Sequence, residues 1–146
     1  MIKLYTASTP NGRKVSIALE ELSLPYEVIH IDIGKGDQFE PSFLEISPSN
    51  KIPAIVDGER SMMQSGAILL YLAGKTGRLA PAVGAPGYWQ VMEWLMWQMS
   101  EFGPMLGQAH HFLKFNRGIS DYAEKRYGDE ARRLYRVLNT RLEGRE

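Results

Sequence analysis

The sequence contains no cysteine. That excludes disulfide staples and a cysteine nucleophile, so any thiol chemistry would need a sulfur brought by a ligand. Charge imbalance is missing too: 17 Lys and Arg stand against 17 Asp and Glu. A net charge of zero argues against a nucleic-acid binder. The arginine-rich stretch after Asp121 has Glu and Asp interleaved and reads as a solvated helix face. No apolar run is long enough to span a bilayer, and the N-terminus lacks a signal-peptide pattern. The cytoplasm is therefore the expected compartment, with no membrane partner. Internal repeats and low-complexity tracts are also missing. What remains is a chain of 146 residues, 44% hydrophobic, long enough for a sizeable core.

Lys3 to Ala7 reads as a first strand, with Ile2 and Leu4 on one face. Thr9-Pro10-Asn11-Gly12 reads as a turn, being made of turn residues. A helix follows from about Arg13 to Leu22, with Val15, Ala18, Leu19 and Leu22 in a one-sided stripe. Leu24-Pro25 stops it, because a residue before proline avoids the helical region. Tyr26 to Ile33 is a second strand rich in β-branched residues. Gly34 to Asp37 is a loop, and Pro41 limits Phe39 to Ile46 to a short or irregular helix. Ser47-Pro48-Ser49-Asn50 is another turn.

The stretch from Ser49 to Leu72 then reads as strand, tight turn, strand, helix. Pro53 cannot donate to a sheet ladder and belongs at the mouth of a strand formed by Ala54-Ile55-Val56. That leaves the backbone of Ile52 free to pair with something else. Asp57-Gly58 supports a hairpin. Gln64-Ser65 precedes the helical run Ile68, Leu69, Leu72, with Ser65 as the expected N-cap. A helix start with a hydroxyl and open amides suits a carboxylate or phosphate. The stretch thus offers a shelf for an extended peptide beside a socket for an anion.

The resulting order is β-α-β-α-β-β-α, with a parallel pair formed by the first strand-helix-strand unit and an antiparallel strand added by the hairpin. Residues 1–77 form this domain, 78–87 a linker with Pro81, Gly84, Pro86 and Gly87, and 88–146 a helical segment. Trp89, Met92, Leu95, Met96 and Met99 build a broad apolar face in the helix after Gly87. Gly103-Pro104 should kink or break that helix. A last helix runs from about Asp121 to Leu142, striped by Tyr127, Ala131, Leu134, Leu138 and Leu142.

Lys51-Ile52-Pro53-Ala54-Ile55-Val56 followed by Gln64-Ser65-Gly66-Ala67-Ile68 resembles the glutathione-binding half of a glutathione S-transferase. Three further segments, Thr9-Pro10-Asn11-Gly12, Gly34-Lys35-Gly36-Asp37-Gln38 and Gly103 to Gln108, narrow this to the bacterial Nu-class branch. Its members reduce disulfides with glutathione. The resemblance covers nearly the whole chain. It implies a thioredoxin-like N-terminal α/β domain with a cis proline before the third strand, followed by an all-α domain. Family members continue through several more helices, so the C-terminal domain is expected to be incomplete here, or its gap covered by a partner. Relatives of this kind are homodimers.

The resemblance also implies roles for individual residues. Thr9 and Asn11 would contact the glutathione sulfur and favour its thiolate. Ile52, before Pro53, would pair through its backbone with the cysteinyl unit. Gln64 and Ser65 would hold the γ-glutamyl end; Nu-class relatives often carry Glu at the first of these positions. Gln38 and Lys51 would reach the glycyl carboxylate, and Arg126 matches a family arginine that contacts glutathione. Phe102 and Met105, beside the Pro104 break, would line a pocket for the second substrate. His110-His111 has no Glu or Cys spaced to complete a metal site, so no metal is expected. Trp94 and Trp97 read as core. The expected function is glutathione-dependent disulfide reduction or glutathione transfer to a small disulfide or electrophile. The alternative is a glutathione-binding interaction or regulatory module with little catalysis.

Overall fold

The computed structural model describes residues 1–145. Apolar residues alternate along β1 (Ile2–Thr6), and the two faces of the strand go to different neighbours. Ile2 and Leu4 face α1 (Pro10–Glu21), and Tyr5 faces the other side. β2 (Tyr26–His30) lies parallel to β1, with Ile2 opposite Tyr26 and Thr6 opposite His30. It is shorter than the expected strand, because the chain leaves the sheet after His30. Ile31 then turns into the second core, beside Phe43 and Ala54. A 3-10 turn at Asp37–Phe39 and the four-residue α2 (Pro41–Leu44) follow. They are the short, irregular helix expected there, with Pro41 in the first turn, where its missing N–H costs nothing.

β3 (Ala54–Asp57) runs antiparallel to β1 and pairs with β4 (Arg60–Met63), so the sheet order is β2-β1-β3-β4. The hairpin loop is Gly58-Glu59 rather than Asp57-Gly58, since Asp57 pairs with Arg60. Gly58 takes the positive φ of 62° that this tight turn requires. α3 (Ser65–Thr76) ends on Gly77 in the left-handed region. This is the thioredoxin-like arrangement that the motifs imply.

Two clusters hold the sheet. Ile2, Leu4, Val15, Ala18, Leu19, Leu22, Ile55, Ile68 and Leu72 pack between one sheet face and helices α1 and α3. The four residues of the α1 stripe are all buried, as their spacing predicts. On the other face Ile31, Phe43 and Ala54 are joined by Tyr5, Ile46 and Ile52, with the Tyr5 and Phe43 rings 6.2 Å apart. A polar latch ties the hairpin to α3: the Tyr71 hydroxyl donates to Asp57 at 2.7 Å, and Lys75 makes an ion pair with the same carboxylate.

The chain divides into two compact units, the first ending at Tyr88 and the second starting at Trp89. Helical structure runs on through α4 (Tyr88–Trp97), a π-helical turn at Gln98–Phe102, α5 (Gly103–His110) and a second π turn at His111–Phe115. Gly103-Pro104 therefore does not break the helix. The π turn before it bonds the Gly103 amide to the Gln98 carbonyl, five residues back. The backbone comes close there: a Cβ on Gly103 would lie 3.0 Å from that oxygen. α6 (Asp121–Leu142) matches the expected span, with Ser120 as N-cap accepting from the Ala123 amide at 3.3 Å. Leu134 is fully buried, but Leu142 at the far end of the stripe is exposed. The expected apolar face of α4 is only partly covered, since Trp89 is 75% and Met96 49% exposed. No helix among the described residues is long and apolar enough to cross a membrane.

Candidate functional site

Thr9-Pro10-Asn11-Gly12 is the first turn of α1, not a turn ahead of it. Proline is pre-organised for the first helical position, which a reading of Pro as a turn residue overlooks. Thr9 is the N-cap, and its Oγ1 accepts the Gly12 amide at 3.1 Å. A hydroxyl that accepts in this way keeps its own proton to donate. Asn11 stands on the same turn with its side chain exposed. Gly12 is buried against the end of β1, where a Cβ would lie 2.4 Å from both the Ala7 carbonyl and Thr6 Oγ1. The absence of a side chain at Gly12 thus lets the helix start sit directly on the strand end.

The shelf before β3 is set by a buried serine. Ser47 has no exposed surface, and its hydroxyl donates to the Lys51 carbonyl at 2.8 Å. Asn50, with a positive φ of 49°, returns its amide to the Ser47 carbonyl at 2.8 Å. The Ile52–Pro53 peptide is cis. The paired register of β3 with β1 ends at Ala54, so Ile52 lies outside the ladder. Pro53 is buried, Ile52 half-buried and Lys51 exposed.

Ser65 is not the N-cap of α3. Gln64 takes that place with φ 72° and ψ 112°, and its carbonyl accepts the Ile68 amide at 3.0 Å. Ser65 is the first helical residue and is 4% exposed. Positive φ is uncommon outside glycine, and residues held there gather at functional sites. Lys14, on α1, reaches across to Ser65: its Nζ donates to Ser65 Oγ at 3.3 Å. Burial pushes the Lys14 ammonium below its ordinary value. Sequence reading missed Lys14. The available signal was its position four residues before buried Ala18, beside the apolar stripe rather than opposite it.

Gln38 is differently engaged from what the motif implies. Its amide nitrogen donates to the Ile33 carbonyl at 3.4 Å, inside its own loop. Its Oε1 is shielded from solvent and has no partner. Contact with a carboxylate would require the amide to turn out of this loop. Thr9, Asn11, Ile52, Pro53, Gln64 and Ser65 all belong to the first unit, as does Lys14.

The remaining predicted residues belong to the second unit. Arg126 and Met105 line a cavity of about 670 Å³ with Tyr122, Tyr127, Arg133 and Arg136. Phe102 is not among its lining residues. Its ring stacks on Trp97 at 5.0 Å and meets Tyr135 edge-on at 5.4 Å. Trp94 and Trp97 form a T-shaped pair at 5.2 Å, with Arg141 over Trp94. His110 packs on Phe115 and His111 on Phe112. Among the described residues no group of three potential metal ligands comes together.

Residues 4–79 match the family model of the glutathione S-transferase N-terminal domain. The chain is 53% identical to the disulfide-bond oxidoreductase YfcG of Escherichia coli strain K12, over 98% of this chain and 69% of that protein. It is 40% identical to the protein URE2 of Meyerozyma guilliermondii, over 92% of this chain and 48% of that one. A glutathione transferase family member from Pseudomonas fluorescens, solved with two glutathione bound, superposes with a TM-score of 0.94 at 44% identity. That match covers 99% of this chain and 66% of the other. A glutathione transferase from Pseudomonas putida, solved with one glutathione disulfide per subunit, gives a TM-score of 0.91 at 41% identity, over 99% and 66% of the two chains. The chain thus spans about two thirds of the length of its bacterial relatives and less than half of that yeast relative. With the sheet, the motif positions and the matched domain in agreement, this chain belongs to the glutathione S-transferase family.

Proposed function

We propose that this chain binds glutathione in its first unit and uses the bound thiolate to reduce small disulfides, as a Nu-class member of its family. The observation that carries the reading is the start of α1: a threonine cap and an exposed asparagine amide on the first turn, in a chain with no cysteine. A free thiol of pKa ~8.5 is mostly protonated at neutral pH. Donors at a helix N-terminus favour the anion. The Thr9 hydroxyl and the Asn11 amide are such donors.

The chemistry is thiol–disulfide exchange. The glutathione thiolate attacks one sulfur of the disulfide; a new S–S bond forms as the old one breaks. The leaving thiolate takes a proton, and a second glutathione attacks the mixed disulfide to give glutathione disulfide and the second thiol. With no cysteine in the chain, no mixed disulfide with the protein arises. The protein supplies position and electrostatics. Ile52 offers its backbone to the cysteinyl unit, and the start of α3 with Gln64 and Ser65 takes the γ-glutamyl end. Residues 1–77 form the glutathione domain; in 88–146, Arg126 is assigned to glutathione and Met105 to the second-substrate pocket. The reading calls for the cytoplasm, where glutathione is kept reduced, and for a homodimer, as the family pattern implies.

The test is glutathione-dependent reduction of a small model disulfide by the wild type and Asn11→Ala. A lost hydrogen bond to a charged group, ~1.5–3 kcal/mol, predicts turnover reduced about 10- to 100-fold with much of the binding kept. Unchanged turnover in the variant would remove Asn11 from the mechanism. Calorimetric binding of glutathione with no turnover by the wild type would instead favour a binding module.

A further inference from the structure

Ser8 and Arg13 bracket the start of α1. Ser8 precedes the Thr9 cap, and Arg13 is the fourth helical residue, one turn beyond that cap. Helical side chains lean toward the N-terminus of their helix. The Arg13 side chain follows that lean past Thr9, and its Nη2 donates to the Ser8 hydroxyl at 3.1 Å. Many helices hold an apolar pair at these positions, which fixes the entry of the chain without a charge. Here an exposed guanidinium lies against an exposed serine instead. The first turn of α1 carries no acidic residue, and among the described residues Arg13 forms no ion pair. A guanidinium is a planar fork of several N–H donors, of which one hydroxyl uses a single one.

The direction of the side chain restricts what it can meet. Lys14, the next residue, contacts Ser65 of α3. Successive residues of an α-helix point about 100° apart. Arg13 is therefore directed off the side that faces α3, where the γ-glutamyl end is assigned. It stands beside the Thr9 cap, where the sulfur is assigned. Resting on the proposed reductase reading, we propose that Arg13 is a specificity residue for the second substrate: it pairs with a carboxylate carried close to the disulfide and selects acidic disulfides over neutral or cationic ones. The fork geometry suits a carboxylate. Arg13 holds the substituent while the bound thiolate attacks the sulfur, and the exchange step itself is unchanged.

The experiment is glutathione-dependent reduction of three small disulfides by wild type, Arg13→Gln, Arg13→Lys and Arg13→Glu. The substrates are 3,3′-dithiodipropionate, with a carboxylate at each end, neutral bis(2-hydroxyethyl) disulfide, and cystamine, with an ammonium at each end. Each kcat/KM is divided by the uncatalysed rate constant, which removes the intrinsic reactivity of the disulfide. The wild type should favour dithiodipropionate, and added salt should shrink that preference. Arg13→Gln should lower the value for dithiodipropionate about 3- to 10-fold and leave the neutral disulfide nearly unchanged. Arg13→Lys should keep most of the preference, and Arg13→Glu should reverse it toward cystamine. An equal loss on all three disulfides would overturn the assignment and mark the Arg13–Ser8 pair as structural. So would an unchanged order of substrates in Arg13→Glu. Absence of wild-type turnover on every disulfide would instead remove the reductase reading, and the assignment with it, a result distinct from either of these.

Discussion

Replacing Gly12 by alanine poses two opposed effects whose sizes decide the sign. Alanine in place of a helical glycine gains ~0.5–1 kcal/mol from the smaller entropy lost on folding. Against this, the new methyl would stand 2.4 Å from the Ala7 carbonyl oxygen and from Thr6 Oγ1. Neither neighbour gives easily. The Ala7 carbonyl also accepts the Thr9 amide at 2.7 Å, so pushing it away disturbs the residue that caps the helix. Relief to an ordinary contact needs a shift of roughly 0.6–1 Å, and overpacking of this kind costs ~1–3 kcal/mol or more. The clash wins, and Gly12→Ala should be destabilised by about 1–2 kcal/mol net. Gly74, exposed in the last turn of α3 with nothing within 4 Å of its would-be Cβ, is the control. There the same substitution should stabilise by ~0.5–1 kcal/mol. Urea unfolding followed by far-UV circular dichroism reads both, as opposite movements of Cm at constant m. A Gly12→Ala protein as stable as wild type would refute the close packing of helix start on strand end.

Other perturbations separate the latch from the shelf. Asp57 is held below the usual carboxylate range by hydrogen bonds from Lys75 and Tyr71. Its contribution to stability is therefore complete above the ordinary carboxylate pKa of ~4 and is lost as pH falls through the lower folded value. The stability gap between wild type and Asp57→Asn, followed by urea titration from pH 7 to pH 3, should close at the acid end; a constant gap would argue against the ion pair. Ser47→Ala removes a fully buried donor from the Lys51 carbonyl. It should cost ~1–2 kcal/mol and speed amide exchange of residues 50–53, whereas unchanged exchange would detach Ser47 from the shelf.

Much of the first unit is legible in the sequence because its signals are local and redundant. The stripe of α1, the alternation in β1 and the turn residues before β4 each specify one face or one reversal. The points that escape are those where one residue type serves two structures. Pro10 suits a turn and a first helical turn equally. Ser65 suits an N-cap, yet the cap falls to Gln64 because the backbone takes a positive φ one residue earlier. Gln38 is a polar loop residue by sequence, but only the fold shows its amide turned into its own loop. The contact of Lys14 with Ser65 is visible only when α3 is brought beside α1. Phe102 stands beside Pro104 in the sequence, but only the fold shows its ring in an aromatic stack with Trp97.

Those π turns shift the winding of the long helix. Each winds one extra residue into a turn, which rotates everything beyond it by about 100° relative to a regular α-helix. The segment from Tyr88 to Phe115 is thus one helical run written in two phases, α4 and α5, with a slip at Gln98–Phe102 between them and a second π turn, His111–Phe115, at its end. A face traced along α4 at helical spacing does not continue on α5. Side chains that a uniform wheel puts on one line are spread around the axis, and a one-residue deletion within Gln98–Phe102 would swing α5 back into phase with α4.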